Sequence, residues 1–158
     1  MTRRIAISGH RGLPPAVARS VDAAFRAALT RLDEPVVGLS CLAEGADTIG
    51  ARAVLDADGL LEAVIPARKY RQALPPEHWP DYDDLYRLAN RVHELDSDDA
   101  TPRSYQTASE FMLDHADTLW AVWDGLPARG YGGTADVVAA ARARGMPITV
   151  FWPGGAVR

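Results

Sequence analysis

Five short runs of apolar, largely β-branched residues, separated by stretches of helical periodicity, constrain this chain more than any other feature. They lie at Arg4–Ser8, Val36–Ser40, Leu61–Ile65, Thr118–Trp123 and Ile148–Trp152. Their hydrophobicity is continuous where a half-exposed strand would alternate, which is what a parallel strand covered on both faces shows. In the first interval Val17, Val21, Phe25, Ala28 and Leu32 recur at helical spacing, with Arg19, Arg26 and Arg31 on the polar side. A shorter helix from Ala46 to about Asp56 buries Ile49 and Ala53. Tyr82, Leu85, Ala89 and Val92 mark a third, entered after Pro80. Thr101-Pro102 supplies a cap and a first-turn proline for a fourth, running through Tyr105, Ala108, Met112 and His115. The last helix is expected to be capped by Thr134 and to stop at Gly145, with Pro147 just beyond.

Strand and helix therefore alternate, and alternation with right-handed crossovers builds a doubly wound sheet. The expected fold is α/β and Rossmann-like, with about five parallel strands in the order 3-2-1-4-5. A length of 158 residues suits one domain spanning 1–158. The least regular stretch, 66–102, has four prolines between Pro66 and Pro80 and is expected to be a helical insert on the third crossover.

Bulk composition removes several function classes. No apolar run approaches the ~20 residues of a membrane span, and Met1–Ile5 passes straight into a strand pattern without the apolar core of a signal peptide. The single cysteine, Cys41, forms no internal disulfide. A cytoplasmic location is expected. The net charge is −4, and residues 77–99 hold eight acids, from Glu77 to Asp99, against Arg87 and Arg91. Such a run reads as a solvated face, and the balance argues against a nucleic-acid partner. His10, His78, His93 and His115 lack metal-ligand spacing, so neither metal nor cofactor is expected.

The residues with chemistry sit where an open parallel sheet binds ligands, beyond the strand carboxyl ends. Ser8-Gly9-His10-Arg11-Gly12 follows the first strand; glycine admits a ligand close to the backbone, and Arg11 has the fork geometry for phosphate or carboxylate. Ser40, Glu44, Gly45 and Asp47 follow the second strand, with Asp47 in the first turn of a helix, where its charge suits the dipole. After the fourth strand come Asp124-Gly125 and then Gly130-Tyr131-Gly132-Gly133-Thr134, a glycine-flanked helix start of the kind that binds anions. The candidate ligand set is Gly9, His10, Arg11, Ser40, Glu44, Gly45, Asp47, Asp124, Gly132, Gly133 and Thr134. No catalytic residue is assigned. Trp79, Tyr82 and Tyr86 are the candidates for an exposed aromatic contact.

Ile7-Ser8-Gly9-His10-Arg11, then Ser40-x-Leu42-Ala43-x-Gly45-x-Asp47, then Tyr105…Phe111-Met112-x-Asp114-x-x-Asp117, then Ala121-x-Trp123-Asp124-Gly125 and Gly132-Gly133-Thr134 follow in an order that resembles the SLOG superfamily. The resemblance covers nearly the whole chain and is nearest to the YpsA-like branch. It also extends to the Smf/DprA DNA-processing proteins and the Lonely Guy enzymes. It implies a Rossmann-like fold and the binding of a nucleotide or nucleotide-derived ligand, as a sensor or binding module. The superfamily's habit, with Trp79, Tyr86, Phe111 and Met112 on helical elements, implies a homodimer.

Two alternatives stand beside this. One is a hydrolase of the nucleoside-monophosphate phosphoribohydrolase type, for which Glu44, Asp47, Asp124 and Asp136 are the placed carboxylates. Aligned with the Lonely Guy motif, however, Val137 occupies the position of the catalytic Glu, and the enzymatic step stays open. The other is a DNA-processing accessory protein.

Overall fold

A computed structural model describes residues 1–157. The chain runs β1 (Arg3–Gly9), α1 (Pro15–Thr30), β2 (Val36–Ser40), α2 (Ala46–Asp56), β3 (Leu60–Ile65), α3 (Tyr70–Ala73), a 3-10 turn (Pro76–His78), α4 (Trp79–Leu88), β4 (Arg91–Glu94), α5 (Pro102–Asp114), β5 (Thr118–Val122), α6 (Thr134–Ala143) and β6 (Ile148–Phe151). The sheet is parallel throughout, in the order β4-β3-β2-β1-β5-β6.

The architecture is α/β and Rossmann-like, but six strands replace the expected five, and the order 3-2-1-4-5 is corrected accordingly. The additional strand is β4, inside the stretch read as helical. Val92 belongs to it and not to a helix: α4 ends at Leu88, Ala89 turns extended (ψ 134°), and the Asn90 N–H bonds Leu61 O, feeding the chain alongside β3. Its four residues, Arg-Val-His-Glu, carry no apolar run because an edge strand is covered on one side only.

Alternation along each strand sorts the core into two clusters. Ile5 and Ile7 of β1 meet Val17, Val21 and Phe25 of α1, together with Trp120 and Phe151. Ala6 faces the opposite way, in the cluster of Leu39, Met112, Val137 and Val138, where α5 and α6 pack. A charged staple also crosses the sheet. Arg4 on β1 donates two hydrogen bonds to Glu62 on β3, at 3.0 and 3.1 Å, and His93 on β4 lies 2.8 Å from the same carboxylate. Those bonds from Arg4, against the cost of burial and with help from His93, hold the Glu62 pKa down to about 2.

The acidic stretch is solvated but not unpaired. Arg52 meets Asp81 and Asp84, Arg68 meets Asp96 and Asp98, and Arg71 meets Asp83. The aromatic residues expected at the surface there are inside or half inside: Tyr82 is buried, and Trp79 and Tyr86 pack against the core. Met112, expected on a dimer face, is buried too. Among the described residues no helix is long and apolar enough to cross a membrane, and no group of His, Cys, Asp and Glu has a metal-binding arrangement.

Candidate functional site

A cavity of about 490 Å³ opens over the carboxyl ends of β1, β2, β3 and β5, within the range that accommodates small ligands. The loop after β1 forms its floor. α5 covers it with Pro102, Tyr105, Ser109 and Met112, one stripe at helical spacing, and the loop 128–133 closes the side nearest α6.

Glycine makes the floor possible. A Cβ on Gly9 would stand 2.6 Å from the Cβ atoms of both Ala46 and Val122, so the end of β1 meets α2 and β5 at backbone distance. Gly45 has φ +88°, and a Cβ there would lie 2.6 Å from the carbonyl oxygen of His10. That carbonyl accepts the Ala46 N–H at 3.2 Å, which locks the first two loops together.

His10 organises the wall nearest α6. Its N–H donates to Val122 O at 3.1 Å, and its ring, almost fully buried, stands edge-on to Trp152. Nε2 accepts the backbone N–H of Asp124 at 3.1 Å. The Asp124 carboxylate also reaches Nε2, at 3.1 Å, and Nδ1 lies 3.3 Å from Thr134 Oγ1, so the tautomer sets which partner donates in each pair. Thr134 also borders the cavity, which places its hydroxyl between His10 and the space for a ligand. The expectation that Thr134 caps α6 is corrected: Gly133, in extended conformation, is the cap residue, and Thr134 is the first helical residue with its hydroxyl turned to His10. Beside it the amides opening α6 are the orphan donors of a helix start.

Two expected donors are already in use, the Gly133 N–H by Gly130 O at 3.3 Å. The Gly132 N–H bonds Asp136 Oδ2 at 2.8 Å, so this carboxylate holds the turn itself. Arg11 borders the cavity but is gripped by both oxygens of Glu44, and not by Asp47.

Asp47 is the single acidic side chain lining the cavity among the described residues. Its Oδ2 accepts the Ala43 N–H at 3.3 Å. Enclosure on every side but the cavity raises its pKa to about 7, against the Ala43 bond and the charge of Arg11, with Glu44 adding to the rise. Burial likewise lifts the Cys41 thiol and the Tyr70 phenol well above their ordinary values, so both stay neutral beside it.

Of the candidate ligand residues, the structure brings Gly9, His10, Arg11, Asp47, Gly132, Gly133 and Thr134 to the cavity. The other four stand behind it. Ser40 Oγ donates to Asp47 O and accepts the Leu42 N–H. Glu44 holds Arg11, Gly45 makes the turn, and Asp124 lies against His10, its Oδ1 3.1 Å from Nε2. Tyr70, Ser109, Arg129 and Tyr131 also line the cavity and were not expected there. The 102/105/109/112 spacing was a usable signal for the α5 residues; Tyr70 had none, because α3 is a single turn.

No family model matches the sequence, and no curated protein does. Solved structures do share the fold. The DNA processing protein A (DprA) of Streptococcus pneumoniae superposes with a TM-score of 0.71 at 17% identity over 99% of this chain and 52% of that one. DprA from Helicobacter pylori, described with a single-stranded DNA binding mode, gives 0.65 at 16% identity over 94% and 64%. The Moco carrier protein of Chlamydomonas rheinhardtii gives 0.58 at 14% identity over 95% and 76%. The chain thus has the Rossmann-like fold of these proteins, and it spans about half the length of the pneumococcal DprA structure.

Proposed function

We propose that this chain is a SLOG-type binding module of the YpsA-like kind. It takes a nucleotide or nucleotide-derived ligand in the cavity above β1, with a phosphate against Thr134 and the start of α6. The observation that carries this reading is that Gly132, Gly133 and Thr134 border the cavity at the start of α6, with the Thr134 hydroxyl 3.3 Å from His10 Nδ1. The backbone amides of a helix start favour an anion. The shared fold of the DprA and Moco carrier structures is consistent with such a rim site.

Thr134→Val removes the hydroxyl and keeps the shape. Calorimetric titration with nucleoside monophosphates is expected to show a roughly tenfold to hundredfold loss of affinity, the cost of one hydrogen bond to a charged group. Thr134→Ser, which restores the donor, is expected to recover most of it. Wild-type affinity in the valine variant refutes the placement.

A further inference from the structure

We propose that the carboxyl group of Asp47 reads the hydrogen-bonding edge of the base of a nucleoside 5′-monophosphate. This rests on the reading above, which puts the phosphate at the other end of the same cavity. Thr134 stands by His10 at the start of α6 and Asp47 opens α2 beyond β2, so one to two inter-strand spacings, about 5–10 Å, separate the two ends. A ribose phosphate spans such a gap and delivers its base to the β2 side. There the wall is aromatic, with Asp47 and the Glu44-held Arg11 as its charged groups. Tyr70 and Tyr105, in edge-to-face contact with ring centroids 5.9 Å apart, line one side of the space, and among the described residues Asp47 is its only acid. A base needs a flat apolar wall and one polar group facing its edge, and this end supplies both.

The protonation state of Asp47 then decides which edge fits. Neutral, the carboxyl offers one donor and one acceptor and pairs with an edge that presents one of each, as adenine does. Ionised, it offers acceptors only and fits the adjacent N–H donors of guanine. With Asp47 held at about 7, both forms lie within an accessible range. The groups around it are Arg11 from the loop after β1, Glu44 and Cys41 from the loop after β2, Tyr70 from α3, Tyr105 from α5, and His10 further along the floor. Cys41 and Tyr70 are pushed upward and do not ionise in this range; the others are common to the wild type and a variant at position 47, so their titration cancels in the comparison.

The test is titration calorimetry with adenosine and guanosine monophosphates at pH 6 and pH 8.5, on the wild type and on Asp47→Asn, with ribose 5-phosphate alongside. Taking the ratio of the two nucleotides cancels the titration of their common phosphate. In the wild type the guanine-to-adenine affinity ratio is expected to rise about tenfold or more between the two pH values, as the neutral form disappears. In Asp47→Asn, which cannot ionise, it is expected to stay within about twofold. An unchanged ratio in the wild type, or an equal change in the variant, overturns the proposal. If ribose 5-phosphate binds as tightly as both nucleotides, the base reading falls while the phosphate placement stands. If none of the three binds, the nucleotide reading itself fails.

Discussion

Replacing Asp47 by Asn should make the unliganded protein more stable at alkaline pH and leave it little changed in acid. The carboxyl titrates near 7 in the folded chain against 3.8 as a model value, so the fold disfavours its ionised form. Below about pH 3 the group is protonated in both states and imposes no penalty. Between about 4 and 7 the unfolded chain releases the proton that the folded chain retains, and stability falls as pH rises. Above about 8 the penalty is complete, roughly 4 kcal/mol at 1.36 kcal/mol per pKa unit. Asn avoids it and keeps an oxygen to accept the Ala43 N–H, though it adds an amide that needs its own partner in the cavity. About half the penalty, or 2 kcal/mol, is a reasonable net gain, and at this chain length it raises Tm by roughly 4–8 °C. The assay is differential scanning calorimetry of both proteins at pH 4.5 and pH 8.5. Subtracting wild type from variant at each pH cancels every other titrating group. A Tm difference independent of pH would refute the claim that enclosure at the cavity raises Asp47.

Other substitutions probe the frame of the site and the role assigned to it. Glu62→Gln, which leaves Arg4 and His93 facing a neutral amide, should cost about 3 kcal/mol at pH 7 by calorimetry. Because the Glu62 pKa is depressed, that difference should disappear as pH falls from about 4.5 towards 2. Gly45→Ala places a methyl against His10 O in a left-handed backbone, and should lower stability by more than about 1 kcal/mol in denaturant titration. Incubation with purine nucleoside monophosphates should release no free base by chromatography, since Val137, at the position aligned with the Glu of the Lonely Guy motif, is buried in the core; turnover near ~1 s⁻¹ would contradict this. Light scattering at micromolar concentration should give a dimer mass, and a strictly monomeric mass would end that proposal.

Local pattern alone determined a great deal of this protein. Interior parallel strands are apolar through their buried centres, so β1, β2, β3 and β5 announced themselves, as did the Ile-Thr-Val-Phe run of β6 although it lies at the sheet edge with Val150 exposed, and the glycines at Gly9, Gly45 and Gly132–Gly133 marked the turns at their carboxyl ends. The Thr101-Pro102 start of α5 was equally legible, and the structure adds the reciprocal Thr101–Ser104 capping box. What escaped was decided by contacts between residues distant in sequence. β4 exists because β3 offers a free edge; its own four residues carry no strand signal. Thr134 turns to His10, 124 positions away, a partner that no local rule for helix caps can foresee. Arg11 and Glu44 meet only because Gly45 lets the two loops touch. Asp47 reads in the sequence as an ordinary charged residue in a first helical turn. Folding removes water from most of its surroundings, and the cost of a charge in that partial enclosure, a property of the whole tertiary packing, raises its pKa to about 7.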